Sequence, residues 1–309
     1  MSLTQSTERL QQLQTELQDL IRVISPSDGN TQLGNRLMVF RRASPSDMNH
    51  GESSLALCMI ASGSKQVLLG DDLYTYDKDH YFITSMQLPT ASSVIHANPA
   101  EPYLALRLEL DPAMVKAVLM SAPNGSYSND VESAFNVSKV DADLLSAVTR
   151  LLRASQSEAD AAILMPLIEQ EIVYRLLKGN QGARLAQIAG FGTASGGIST
   201  AISRMRSEYD QPLRIPDLAK EIGMSVSSFH DHFKRSTGLT PLQFQKHLRL
   251  REARRLLLGG DCDVAEAGYQ VGYADDSHFN REYKRMFGEP PLRDLNRVRA
   301  AGPLAQTGS

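Results

Sequence analysis

Leu218-Ala-Lys-Glu-Ile-Gly-Met-Ser-Val-Ser-Ser-Phe-His-Asp-His-Phe-Lys-Arg235, with Gly238 and Pro241-Leu242 beyond it, recurs as Ala267-Gly-Tyr-Gln-Val-Gly-Tyr-Ala-Asp-Asp-Ser-His-Phe-Asn-Arg-Glu-Tyr-Lys-Arg285, with Gly288 and Pro291-Leu292 beyond it. The offset between the copies is 49 before the turn (267 minus 218) and 50 after it (279 minus 229), so the second turn carries one extra residue. In the first copy Ala219 and Ile222 share one face of a short helix, and Phe229 and Phe233 share one face of the next, so the two faces can build a small common core. Gly223 sits where the chain must turn sharply and a left-handed backbone costs least. Ser225 stands where its oxygen can accept from the unsatisfied amides that open the following helix. Gly272 and Asp275 hold the same places in the second copy, and Gly238 and Gly288 stop the second helix of each. The pattern predicts two helix-turn-helix units, each with the outer face of its second helix free to enter a groove.

Between the copies, His247-Leu-Arg-Leu-Arg-Glu-Ala-Arg-Arg-Leu-Leu-Leu258 is a run of good helix formers, with Leu248, Ala253, Leu256 and Leu257 available for burial. One long connecting helix would hold the two units apart, as successive major-groove faces about 34 Å apart require. From about Ile215 to Arg297 the chain resembles the C-terminal domain of AraC/XylS-type transcription regulators, through that run and the blocks Val271-Gly-Tyr, Ser277-His-Phe and Arg281-Glu-Tyr-Lys-Arg-Met-Phe-Gly. The resemblance implies binding to double-stranded promoter DNA. It places base readers at Ser227, Ser228, His230 and Asp231 on the first recognition helix and at Asp276, Ser277, His278 and Arg281 on the second. Many family members carry arginine where this chain has Asp231. Arginine donates to both guanine acceptors, whereas aspartate only accepts and repels phosphate, so a modified half-site is expected there. Arg281 has a second reading, as a structural arginine paired with a neighbouring acid. Lys234, Arg235, Lys284 and Arg285 occupy equivalent places in the two copies. With Lys246, Arg249, Arg251 and Arg293 nearby they are the expected phosphate contacts, a solvated basic face being the bland alternative.

A net charge of -3 is discouraging for a DNA binder until it is divided. From Ser199 onward there are 17 basic against 14 acidic residues, leaving 15 against 21 in residues 1–198, so only the C-terminal part is suited to phosphate. The composition, 42% hydrophobic and 22% charged, is that of a soluble globular chain long enough for two domains. Cys58 and Cys262 fall in different predicted domains, so no structural disulfide is expected and a reducing cytoplasm fits. The N-terminus lacks a basic head followed by an apolar stretch, and no run approaches about 18 apolar residues, so neither export nor membrane insertion is expected.

The N-terminal part has another pattern. Leu10, Leu13, Leu17, Leu20, Ile21 and Ile24 lie at helical spacing and predict an amphipathic helix over residues 6–24. From Asn35 to Leu110 short apolar runs alternate with turn residues: Leu37–Phe40, Leu55–Ile60, Gln66–Leu69, Tyr81–Thr84 and Tyr103–Leu110. Such spacing argues for a small barrel or sandwich, and Leu104, Leu106, Leu108 and Leu110 alternate with Tyr103, Ala105, Arg107 and Glu109, which predicts one buried face. Gly63-Ser-Lys-Gln-Val-Leu-Leu-Gly70, Tyr76-Asp, Tyr81-Phe and Glu101-Pro-Tyr-Leu-Ala-Leu-Arg-Leu-Glu-Leu-Asp111 resemble the cupin-like sensor domain of one branch of AraC-type regulators. The resemblance implies a pocket for a small-molecule effector. Met38, Phe40, Met59, Tyr81 and Tyr103 are plausible liners, with simple core as their alternative. Arg41-Arg42 could meet an anionic effector, but an exposed pair at a strand end is the safer reading. A metal-dependent cupin enzyme would need a His-x-His pair, and His50, His80 and His96 are isolated, so no metal and no cofactor is expected.

Residues 141–152 and 159–177 each carry an apolar stripe at helical spacing, the second interrupted by Pro166, which predicts a kink. In the family this helical unit commonly dimerises, so Leu167, Ile168, Ile172 and Leu176 are expected at a homodimer interface, the alternative being that they only cover the barrel. The expected architecture is α+β: a cupin-like effector-sensing and dimerisation domain over residues 1–180 (barrel about 33–110, helices about 111–180), a glycine-rich linker over 181–197, and an all-α DNA-binding domain with two helix-turn-helix motifs over 198–309. The expected function is that of an effector-controlled, cytoplasmic transcription regulator, an activator by family habit and thus also a partner of RNA polymerase, and not an enzyme: no P-loop, nucleophile elbow or metal set is present. A DNA-binding adaptor with a ligand-free barrel is the alternative, and a cupin-type enzyme a remote one.

Overall fold

The computed structural model describes residues 3–69, 72–84, 88–121, 137–186, 193–260 and 262–301. The chain divides into two compact units, one up to Thr193 and one from Ala194.

The first unit opens with helix α1 (Leu3–Ile24), followed by strands β1 (Gly29–Leu33), β2 (Leu37–Arg42), β3 (Asn49–Ser53), β4 (Ala56–Ser62), β5 (Ser64–Leu69), β6 (Asp72–Asp77), β7 (His80–Thr84), β8 (Leu88–His96) and β9 (Tyr103–Glu109). Helix α2 (Pro112–Ser121), strand β10 (Val137–Lys139) and helices α3 (Ala142–Ala154), α4 (Glu158–Lys178) and α5 (Gly182–Ala186) complete it. The strands form two antiparallel sheets, β1-β2-β9-β4-β7-β10 and β3-β8-β5-β6. Five of these strands were foreseen from their apolar runs. The others, such as β6 with Asp72, Thr75 and Asp77, carry too many polar residues for alternation to stand out.

Because successive side chains on a strand point to opposite faces, register sorts the first sheet. Met59 lies opposite both Leu106 and Tyr81, so these three share a face with Leu37, Val39, Leu57, Ile83, Leu104 and Leu108. That face joins one core with Leu17 and Ile21 of α1, Leu144, Val148 and Leu151 of α3, and Ile172 and Leu176 of α4. Cys58 lies opposite Arg107 and Phe82, and Phe40 opposite Ala105, so the other face carries Met38, Phe40, Arg42, Cys58, Tyr103 and Arg107. It looks toward the second sheet, whose Tyr76 ring stacks on Phe82 at a centroid distance of 5.4 Å. Tyr103 and Ala105 are therefore buried as deeply as their leucine neighbours. The expectation of one buried face on β9 fails because helices cover one side and the second sheet the other.

Asp141 caps α3 by accepting from the amides of Asp143 and Leu144, Ser157 caps α4 by accepting from that of Asp160, and α4 runs as one helix through Pro166. The expected dimer stripe divides on this helix. Ile168, Ile172 and Leu176 are buried in their own core, because the helix turns them onto α3 and the sheet, while Leu167 is 60% exposed beside exposed Ile163, Leu164 and Tyr174.

The second unit comprises α6 (Thr193–Ser207), α7 (Ile215–Glu221), α8 (Val226–Thr237), α9 (Pro241–Gly259), α10 (Val264–Gln270), α11 (Asp276–Phe287) and α12 (Pro291–Ala301). The interval 181–197, read as linker, begins with α5 and ends in the first turn of α6, and Gly190-Phe-Gly192 lies outside the described residues. The glycine there serves packing: a Cβ on Gly197 would come within 3.1 Å of the Ile222 side chain. The turns follow the expected chemistry. Gly223 and Gly272 have φ of 70° and 86°, Ser225 accepts from the Ser228 amide, and Asp275 accepts from that of His278. Gly238 and Gly288 end α8 and α11 in the left-handed region.

Candidate nucleic-acid interface and effector site

Each recognition helix is anchored by an aromatic core. Phe229 and Phe233 of α8 pack at 5.4 Å between ring centroids, and Phe233 meets Phe244 of α9 edge-on at 5.5 Å. In the second copy Phe279 and Tyr283 of α11 are 5.7 Å apart and Tyr283 and Phe287 4.5 Å. With these rings facing inward, helical geometry turns the intervening residues out. Ser227 and Asp231 are exposed, Ser228 and His230 half-buried, and Asp276, Ser277, His278 and Arg281 all exposed. Arg281 makes no ion pair among the described residues.

The cations fall into two groups. Lys234, Arg235, Lys284, Arg285 and Arg293 are exposed and form no ion pair among the described residues. The other three expected phosphate contacts turn inward. Lys246 pairs with Glu282 of α11 at 2.5 Å. Burial pushes the Glu282 carboxyl up, but the hydrogen bond and charge of Lys246 outweigh it and hold the group below its usual value. Arg249 donates to four backbone carbonyls: Tyr209 at 2.7 Å, Gly272 at 2.9 Å, Gln211 at 3.0 Å and Asp210 at 3.1 Å. Arg251 is half-buried, and burial lowers its guanidinium from the ordinary arginine value. Sequence position alone did not separate these three from the free cations, since α9 is basic on more than one face.

Asp294 was not foreseen. It is fully buried and accepts from the Tyr283 hydroxyl at 2.9 Å, from Arg254 at 2.7 and 2.9 Å, and from Arg297 at 2.6 Å. The repeat held the clue: at an offset of 50 it replaces Phe244, and Tyr283 replaces Phe233, so a ring contact in the first copy becomes a hydrogen bond in the second.

In the first unit, Met38, Phe40 and Tyr103, read from sequence as effector contacts or simple core, share the face that looks toward the second sheet. Met59 and Tyr81 do not. They sit on the opposite face of the same sheet, sealed against the helices at 2% and 3% exposure, because Met59 lies opposite Leu106 rather than Arg107 and Tyr81 lies opposite Met59. Arg42 shares the interior face, with Asn30 as one acceptor at 2.9 Å, while Arg41 points the other way to the Ser25 carbonyl. Lys65 was overlooked, although alternation along Lys65-Gln-Val67 placed it on one face with a core valine. Among the described residues no group of three or more His, Cys, Asp or Glu could hold a metal ion, and no helix is long and apolar enough to cross a membrane.

Residues 35–184 match the family model described as AraC-type transcriptional regulator N-terminus, and residues 218–297 match a helix-turn-helix domain model. Among characterised relatives, the HTH-type transcriptional regulator ArgR of Pseudomonas aeruginosa is 26% identical over 162 residues, which cover 52% of this chain and 49% of ArgR. The HTH-type transcriptional activator RhaS of Pectobacterium atrosepticum is 22% identical over 222 residues, 72% of this chain and 75% of RhaS. The chain thus matches about half the length of the first relative and three quarters of the second. Among solved structures, ToxT from Vibrio cholerae with an unsaturated fatty acid bound shares the fold at a TM-score of 0.55 and 12% identity, over 87% of this chain and 98% of ToxT.

Proposed function

Since the chain belongs to the AraC-type transcriptional regulators, a family of regulators rather than enzymes, we propose that it is a one-component regulator in which the barrel receives a small molecule and the helical unit reads promoter DNA. The observation that carries this reading is the pair of recognition helices, α8 and α11, each inward-facing on its aromatic side and outward-facing on the side that holds Asp231, Lys234, Arg235, Arg281, Lys284 and Arg285. The RhaS relatives, named activators, support activation of transcription and thus contact with RNA polymerase. The ToxT structures, one of which holds an unsaturated fatty acid, support a small effector. Effector binding would act by favouring one arrangement of the reading helices over another. The exposed stripe of Ile163, Leu167 and Tyr174 on α4 is the surface suited to a homodimer.

The test is duplex binding. A high-affinity site is selected from the host's promoter regions, and binding is followed against salt concentration for the wild type and for the variant with alanine at Lys234, Arg235, Lys284 and Arg285. The variant is expected to lose tight binding, with the slope of log affinity against log salt falling by roughly 3 to 4. Unchanged affinity and slope would reject the reading.

A further inference from the structure

We infer that the space between the two sheets is a site for a small molecule with an anionic head group, held by Lys65, and an apolar body that lies along Phe40, Met38 and Tyr103. This rests on the reading that the barrel receives an effector, and it specifies that effector's chemistry.

The placement of Lys65 follows from register. On β5 it lies opposite Tyr76 of β6 and Val94 of β8, and Tyr76 stacks on Phe82 of the first sheet, so Lys65 points between the sheets. Facing it across the gap, Arg42 and Arg107 stand on the inner face of the first sheet. Among the described residues the Lys65 ammonium has no hydrogen-bond or ion-pair partner. The carboxylate on that inner face nearest in sequence to Arg107 is Glu109, and it already pairs with Arg107 at 3.0 Å, while Ser54 accepts a further bond from the same guanidinium. Arg42 donates to Asn30 at 2.9 Å and to the Arg41 carbonyl at 2.7 Å. Cys58 offers no counter-charge, since burial pushes its thiol up and keeps it protonated.

A cation in that position is unfavourable for the protein alone: it has left water and meets two like charges instead of a partner. Burial pulls the Lys65 ammonium below its ordinary value and the two arginines pull it further, with Cys58 acting the other way. The inner face is sealed in part, by Tyr76, Phe82 and Tyr103, and not throughout. Lys65 and Cys58 lie deep in the unit and yet keep some surface open to water, as do Met38 and Phe40, whereas Leu37, Val39 and Leu57 on the helix side are fully sealed. An uncompensated cation beside partly exposed apolar and aromatic side chains, on the face that looks toward the second sheet, fits an amphiphilic anion. The head group would supply the charge that Lys65 lacks, and the half-buried apolar side chains would cover the rest.

The experiment uses the full chain and paired probes: octanoate with 1-octanol, phenylacetate with phenylacetamide, and octyl phosphate as a second head group. Calorimetric titration is expected to give at least about tenfold tighter binding for each anion than for its neutral twin, in line with one charge-assisted contact in a partly dry site. In Lys65→Met that gap is expected to vanish while the neutral twins bind as before. Without any ligand the variant is expected to melt no earlier than the wild type, since methionine fills similar space without the charge. Octanoate against octyl phosphate then tells which head group the site prefers. Equal affinity within each pair, a gap that survives in Lys65→Met, no binding by any probe, or an earlier melt of the ligand-free variant would each overturn the assignment. Duplex affinity measured on the same wild-type sample reports on the regulator reading alone, so the anion site can fail while that reading stands.

Discussion

Asp294 shows how one substitution between two copies of a motif changes what holds them together. The first copy joins its recognition helix to the next helix through Phe233 and Phe244, an apolar contact that asks nothing of its neighbours. The second uses Tyr283 and Asp294, and a buried carboxylate must be paid for with donors, which Arg254 and Arg297 supply. Burial, reinforced by the Asp294 charge, raises the Tyr283 phenol far above its usual value, so it stays a donor. Removing the carboxylate would strand the guanidinium of Arg254, which also lies over the Phe287 ring at 4.7 Å. Asp294→Ala is therefore expected to destabilise α11 and α12 by about 3 kcal/mol or more, the usual consequence of removing one partner from a buried pair. Hydrogen exchange at the amides of these helices should reveal it, with much smaller changes in α8. Protection left at the wild-type level in α11 would show that the network does not support the helix. The donors of this network were visible in the sequence as ordinary arginines, and only the comparison of positions 50 apart could have marked the acceptor.

At the scale of elements, local signals were legible and pairing was not. Glycines at the turns, Ser225 and Asp275 as caps, and the aromatic faces of α8 and α11 are fixed by neighbours a few residues away, so spacing alone places them. Which face of a strand meets the helices depends on a partner strand tens of residues distant. Met59 and Tyr81 were grouped with Phe40 for that reason, and register separated them. Arg249 is a second case. From sequence it is one more cation on a basic helix, yet it ties α9 to the segment after α6, through Tyr209, Asp210 and Gln211, and to the turn of the second motif, through Gly272. The fit is close enough that a Cβ on Gly272 would stand 2.2 Å from the Asp210 carbonyl oxygen. Arg249→Met should cost about 2 kcal/mol, given four carbonyls left without a charged donor. It should also weaken binding to a duplex carrying both contacted grooves more than to one carrying a single groove, as anisotropy titrations with the two duplexes would show. An equal loss on both would mean that Arg249 acts on phosphate after all.

For the whole molecule, the existence of a strand-rich unit followed by a duplicated helical unit was readable from periodicity. What the outer surface of the first unit does was not, because an apolar stripe on α4 looks the same whether it meets its own core or another chain. Burial divides that stripe: Ile168, Ile172 and Leu176 belong to the core, and Ile163, Leu167 and Tyr174 remain outside it. If the outer set joins two copies, Leu167→Glu should shift the protein from dimer to monomer in sedimentation without loss of helical signal, whereas Ile172→Glu should unfold the unit. A wild type that sediments as a monomer at tens of micromolar would remove the dimer from the scheme.

The first turn of α6 sets where this protein can be severed. Its glycine-rich opening invites a cut ahead of Ile198, yet Gly197 lies flush against Ile222 at the end of α7, where the first motif turns. A fragment begun at Ile198 would bare that isoleucine and shorten the helix that shields it, so its failure to grip a duplex would report damage at the seam and nothing about the need for the barrel. A fragment that keeps Thr193 and the turn after it preserves the seam intact.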